Sequence, residues 1–199
     1  GQAIKAIEEV AAETLPTGYG YEFSGMTREE QSSSGNTTAL IFVLCLVFVY
    51  LLLSAQYESY ILPLGVILSV PFGLMGSFIF AQFMGVENNI YMQIALIMLI
   101  GLLAKNAILI TEFALERRQS GMSIVSAAVL GASARLRPIL MTSLAMVIGL
   151  LPMMFASGVG ANGNSTLGSG AIGGMLIGMI CQIFTVPAMF VAFQYLQEK

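Results

Sequence analysis

The sequence predicts an all-α membrane protein with five transmembrane helices, preceded by a small α/β segment. Three observations carry that prediction. Hydrophobic residues make up 57% of the chain and charged residues only 10%, whereas soluble domains run near 25% charged. Five apolar stretches recur along the 199 residues, each long enough for a bilayer crossing of about 20 residues at about 1.5 Å rise. The cations, finally, gather in one of the connections between those stretches, as the topology of a membrane protein requires.

Residues 1–36 are soluble in character. Ile4, Ile7, Val10 and Ala11 recur at helical spacing with Lys5, Glu8 and Glu9 between them, which makes an amphipathic helix. Pro16 and Gly18 end it, and Tyr19, Tyr21 and Phe23 then alternate with small or polar residues in the period-two pattern of a half-buried strand. A helix–strand–helix unit of this size cannot hold a core alone, so it should complete a larger α/β domain. The chain opens on Gly1 and on charged helical residues; it carries no signal-peptide pattern and reads as an internal start, a fragment of something longer.

Residues 37–199 read as the transmembrane domain. The first span, 37–55, has no charge. The second, 61–84, has Pro63 near its start and Pro71 inside, where a kink is expected. The third, 90–113, contains Lys105 and Asn106; the fourth covers 138–159 and the fifth 167–193. Between the third and fourth, residues 121–134 suggest a short helix along the cytoplasmic membrane face, with Met122, Val125, Val129 and Ala132 opposite Ser123, Ser126 and Ser133. Gly170, Gly174 and Gly178 repeat at four-residue spacing on the last span, a packing signal for a close helix neighbour.

Arg117, Arg118, Arg135 and Arg137 all lie between the third and fourth spans, which places that connection in the cytoplasm. The loops 85–89 and 157–165 contain no Lys or Arg and fall outside. The amino-terminal segment is then outside and the carboxy terminus inside.

Several functions lack raw material. There is no His and no Asp, so His-built metal sites and Ser-His-Asp triads are excluded within this chain. Net charge is −3 with no basic surface to follow phosphates, which removes nucleic acid as a partner. No motif for a cofactor is present. Ser169 between two glycines is the single faint nucleophile, and no base accompanies it, so an enzyme is not expected. The 13 Met residues are scattered and read as core filling, and Cys45 and Cys181 as small hydrophobes.

Lys105 is the informative residue. An ammonium at the bilayer centre costs at least about 2.5–3.5 kcal/mol. Snorkelling is disfavoured, because the side chain leans toward the amino terminus of a helix that runs inward, away from the nearer face. An interior, paired lysine is expected. Glu112 shares the helix face but stands about 10 Å further along, so the counter-charge should come from carboxylates on helices outside this chain.

The residues now support a resemblance. The stretches IGLLAKNAILITEFALE and ARLRPILMTSLAMVIGLLPM are similar to the matching helices of resistance-nodulation-division (RND) multidrug efflux transporters, in their hydrophobe/amphiphile efflux branch; PTGYGYEFSGMTREE, AQYESYILPLGVILSVPFGLMGS and GAIGGM extend the similarity in order along the chain. The resemblance implies that residues 1–36 close a periplasmic porter domain and that the five spans are the last five of twelve. It implies a proton-relay role for Lys105, for Thr142 in RPILMTS and for Arg135 at the cytoplasmic mouth of the proton path. For Thr142 the alternative is a hydroxyl bonded back to its own helix, and for Arg135 a topology anchor.

The resemblance further implies a proton-driven drug antiporter that exports amphiphilic compounds from a bacterial inner membrane. Its partners would be membrane lipid, a periplasmic adaptor, an outer-membrane channel, and further copies in a homotrimer. The family's paired aspartates sit on an amino-terminal half, and this chain has no Asp, so alone it should be inactive. A packing subunit or degenerate remnant is the alternative from another class, and an RND exporter of metal ions or lipids the alternative within the superfamily. The orientation is directly testable: cysteines replacing Asn88 and Asn162 should react with an impermeant thiol reagent from outside intact cells, and one replacing Gln119 only from inside. Labelling at Gln119 from outside would overturn it.

Overall fold

The computed structural model describes residues 2–16, 18–25, 27–28, 36–86 and 88–198. It divides into two compact units, residues 1–34 and 35–199. In the first, Gln2–Thr14 form helix α1. The strand expected at Tyr19–Phe23 is absent: residues 18–24 adopt no strand, and among all the described residues there is none. A strand needs a neighbour to receive its backbone hydrogen bonds, and among the described residues of this unit none pairs with the segment. What remains of the alternation is an edge-to-face pair of Tyr21 and Phe23, their ring centroids 5.5 Å apart. The second helix expected in this segment falls mostly outside the described residues.

The second unit is entirely helical among its described residues. It comprises α2 (Asn36–Tyr57), α3 (Leu62–Ile67), α4 (Val70–Phe83), α5 (Ile90–Gln119), α6 (Ile124–Met154) and α7 (Ala161–Gln197). Among the described residues five spans are long and apolar enough to cross a membrane, α3 and α4 together forming the second. That span breaks at Leu68 and Ser69, just ahead of Pro71, because proline cannot donate to the carbonyl four residues back. The Ser69 hydroxyl donates to the Val66 carbonyl at 2.6 Å across the break.

Helix α7 is the hub, packed against α4, α5 and α6 and touching α3. Its glycines make this possible. A methyl group added at Gly174 would lie 2.2 Å from Leu99 Cδ1 and 3.0 Å from the Gly73 carbonyl oxygen, so α4 and α7 meet backbone to backbone. Ser77 of α4 donates to the Gly170 carbonyl at 2.7 Å in the same seam. The small-residue spacing of Gly170, Gly174 and Gly178 is therefore a helix–helix contact. At the other extreme, α2 packs mainly on α3 and α5, and just 6% of its most apolar window is buried. Its Leu40, Val43, Leu44, Val47 and Phe48 are exposed, a surface suited to hydrocarbon.

Two boundaries differ from the sequence reading. Residues 121–134 and 138–159, read as a short helix and a span, join in the single helix α6, which passes through Pro138. Its first half is held by small residues: Ala127, Ala128 and Gly131 are buried, and a Cβ at Gly131 would meet the Ala114 backbone of α5 at 3.0 Å. Such packing outweighs the one donor lost at Pro138. Val125 and Val129 stay exposed. The loop read as 157–165 is shortened, since α7 begins at Ala161 after Gly160 in a left-handed conformation, φ 81°. The Thr166 hydroxyl supports that first turn by donating to the Asn162 carbonyl at 2.6 Å.

Caps and charges finish the helix ends. Asn89 Oδ1 accepts from the Met92 amide at 3.1 Å to start α5, and Ser123 Oγ accepts from Ser126 at 3.3 Å to start α6. Arg118, in the last turn of α5, grips Glu198 beyond α7 with both ends of its fork, at 2.8 and 2.6 Å. That contact holds the Glu198 carboxyl down to about 2. The α5–α6 contact yields a test. Gly131→Val should destabilise the bundle by about 1–3 kcal/mol through overpacking, while Gly149→Val, whose Cβ would meet nothing within 4 Å, should be close to neutral. Unfolding in mixed micelles of graded denaturing detergent measures both.

Candidate functional site

The site is built on α5. Within that apolar helix Asn106 is 5% exposed, and a buried amide must find a partner. It finds one across the helix interface: Asn106 Nδ2 donates to Ser143 Oγ of α6 at 3.2 Å, and Ser143 is 2% exposed. This bond fixes the register of α5 against α6. Lys105 and Thr142 each precede a bonded residue by one position, and both line one small cavity together with Leu102, Met146 and Met175. Its volume is about 20 Å³, the space of one water molecule.

Lys105 is exposed on the bundle, and among the described residues it forms no ion pair. Its side chain also lines a second cavity, of about 360 Å³, between α2 and α5, with Gln56 and Glu112 in the same wall. Thr142 bonds back to its own helix, donating to the Pro138 and Ile139 carbonyls at 3.1 and 3.2 Å. That is the structural arrangement weighed for it from sequence, and it coexists with a place on the Lys105 cavity.

Arg135 stands apart, seven residues before Thr142 and so about 10 Å along the axis. Its guanidinium carbon lies 5.0 Å from the centroid of the Phe113 ring of α5, and that of Arg117 lies 4.9 Å from the same ring. Each is a cation–π contact. Arg135 Nε is buried without a hydrogen-bond partner among the described residues. The structure thus brings Lys105 and Thr142 together and leaves Arg135 two turns away, at the end of α5.

Sequence reasoning passed over Asn106 and Ser143 as site residues. The available signal was a polar residue beside Lys105 in an apolar span, and a hydroxyl beside Thr142. Among the described residues no group of acids and cysteines could hold a metal ion.

Comparisons with known proteins follow this geometry. The model of the AcrB/AcrD/AcrF family matches residues 1–194. The chain is 45% identical over 192 residues to the toluene efflux pump membrane transporter TtgB of Pseudomonas putida, covering 96% of this chain and 18% of that protein. It is 41% identical over 197 residues to the multidrug resistance protein MdtF of Escherichia coli, covering 98% and 19%. Against the multidrug export protein AcrF of Escherichia coli it is 40% identical over 192 residues, covering 96% and 18%. The chain therefore spans under a fifth of the length of these relatives.

The register bond is open to measurement by a double-mutant cycle. Asn106→Ala and Ser143→Ala should show a coupling of about 0.5–1.7 kcal/mol in the micelle unfolding assay, the range of hydrogen bonds between membrane helices. Additive effects would mean the two side chains do not hold each other.

Proposed function

From a chain that belongs to the AcrB/AcrD/AcrF family of RND multidrug efflux transporters, we propose that it forms part of the membrane domain of a proton-driven exporter of amphiphilic compounds. In this reading the five spans are the last five of twelve, in a bacterial inner membrane, and residues 1–36 belong to a periplasmic porter domain. The connection between α5 and α6 faces the cytoplasm. Lys105 responds to protonation of carboxylates carried by partner helices outside this chain. Thr142 lies beside it, and Arg135 marks the cytoplasmic end of the path. The working assembly would be a homotrimer joined to a periplasmic adaptor and an outer-membrane channel, and the isolated chain would not transport.

One observation carries the reading. Lys105 and Thr142 line the same water-sized cavity, on two helices whose register is fixed by the neighbouring Asn106–Ser143 bond. A cation held among carboxylates moves or releases a proton when they change charge. An ammonium within a membrane span costs at least about 2.5–3.5 kcal/mol unless such partners offset it. The names of the relatives, a toluene efflux pump and a multidrug export protein among them, support export as the activity.

The test uses a full-length relative in which this chain replaces the matching segment. Lys105→Met keeps the apolar stem and removes the charge, and should reduce drug export to the level of cells without a pump. Lys105→Ala should do the same while leaving the amount of membrane protein close to that of the parent. Thr142→Ala should lower export severalfold and Thr142→Ser should restore most of it. Drug accumulation normalised to membrane protein reads all four. If Lys105→Met exports as well as the parent, the lysine is a packing residue and the reading fails.

A further inference from the structure

Within the apolar run 175–184 of α7 stands a single amide, Gln182, 1% exposed. A buried amide must find partners. Its Nε2 donates to the Leu103 carbonyl of α5 at 3.0 Å and to the Ser69 hydroxyl, at the break of the second span, at 3.2 Å. The Ser69 hydrogen is already committed to the Val66 carbonyl, so both groups facing the amide are acceptors and only its NH2 end can meet them. That orientation is kept although it leaves Gln182 Oε1 buried without a hydrogen-bond partner among the described residues. In an α-helix the Leu103 carbonyl also closes the turn that ends at Ala107, and this is the turn that carries Lys105 and Asn106. Asn106 is tied in turn to Ser143 of α6. The Leu103 side chain fills the glycine seam, where a Cβ at Gly73 would lie 1.9 Å from its Cδ1 and one at Gly178 would lie 2.8 Å from its Cδ2.

We infer that Gln182 is a positioning residue for Lys105. The inference deepens the relay reading and rests on it. One tie to a helical turn leaves the turn free to pivot, whereas two ties to different helices fix it. Gln182 from α7 and Ser143 from α6 hold the Lys105 turn in this way, and together they set the level and direction from which the lysine leaves α5. Ser69 backs the amide, which cannot turn without losing both of its bonds. A glutamine that merely glues helices together acts on stability alone. A positioning glutamine also acts on the charge that Lys105 presents to its partner carboxylates. A displaced ammonium favours their ionised form less, so they take up protons at higher pH. The charged or titratable groups around the turn are few. On α5 Glu112 shares the lysine's face, and from α2 the Tyr57 hydroxyl donates to the Ile108 carbonyl at 3.3 Å. From α6 Arg135 reaches the ring of Phe113. Helices α3 and α4 bring none, and α7 has no charged side chain, its titratable groups being Cys181 and Tyr195.

The experiment uses the same chimeric pump, reconstituted in vesicles with an imposed proton gradient, and reads export rate against drug concentration and pH. Gln182→Met keeps the length of the side chain and removes the amide. It should shift the pH profile of export toward alkaline pH and lower the maximal rate severalfold, with KM for the drug unchanged. Ser69→Ala takes away the support and leaves the Leu103 bond, so it should show a smaller shift in the same direction, and it decides the matter if Gln182→Met does not assemble. Ser77→Ala is the control: it removes the 2.7 Å bond to the Gly170 carbonyl in the α4–α7 seam, touches no part of the Lys105 turn, and should keep the parent's profile. An assembled Gln182→Met with the parent's pH profile overturns the proposal whatever its rate, and so does a Ser77→Ala shift as large as that of Gln182→Met, because any loosening of α7 would then suffice. Failure here is separable from failure of the relay. If Lys105→Met still exports, the relay reading falls; if Lys105→Met is dead and Gln182→Met keeps the parent's profile, only this inference falls.

Discussion

The bundle depends on how closely α7 approaches its neighbours. With side chains at Gly76 or Gly173, α4 and α7 would be pushed apart, since a Cβ there would lie 2.6 Å from Ile177 Cβ or 2.1 Å from Phe80 Cβ, while at Gly73 and Gly174 it would run into Leu103 and Leu99 of α5. In a membrane, where burial of apolar surface offers helices little advantage over lipid, that proximity is itself a source of cohesion. It also sets up the polar contacts. Gln182 of α7, 1% exposed, donates to the Ser69 hydroxyl at the break before α4 and to the Leu103 carbonyl of α5, at 3.2 and 3.0 Å. One side chain thus joins three helices at the level where the second span is broken, two residues before Lys105.

The candidate site follows from the same economy. Asn106 and Ser143 have no water to turn to, so they bind each other, and their bond aligns the residues just before them. Lys105 and Thr142 need not contact one another for this to matter. What is fixed is the frame around the lysine, while its stem keeps freedom on the exposed side of α5. At the far end of α5 the Phe113 ring, between Arg117 and Arg135, ties α6 to α5 a second time.

Much of this was legible in the amino acids. The five spans announce themselves by length and lack of charge, and the proline that breaks the second was visible at Pro71. The glycine seam was visible as a spacing. Other features were not, for reasons that differ. The alternation at Tyr19–Phe23 carries strand propensity, but a strand exists only when another segment pairs with it. The continuity of α6 through Pro138 depends on Gly131 lying against Ala114, a tertiary contact that outweighs a local breaker. The Asn106–Ser143 bond depends on the register of two helices 37 positions apart, which no periodicity within either helix can reveal. Glu112 was visible and set aside on direct reach; the cavity it shares with Lys105 needed a neighbouring helix to form.

The unequal lengths of the helices have a consequence for the lipid around them. Helix α2 has 22 residues, whereas α5, α6 and α7 have 30, 31 and 37. A hydrocarbon layer about 30 Å thick covers about 20 residues of an upright helix, so α2 fits it and α7, at about 55 Å, exceeds it by nearly as much again. The three long helices must tilt or stand proud of the membrane. Thickening or thinning the bilayer would strain the short outer helix first while the long central ones slide within their margin. The chain therefore combines two membrane-matched spans, α2 and the 22-residue second span Leu62–Phe83, with three helices that exceed the layer.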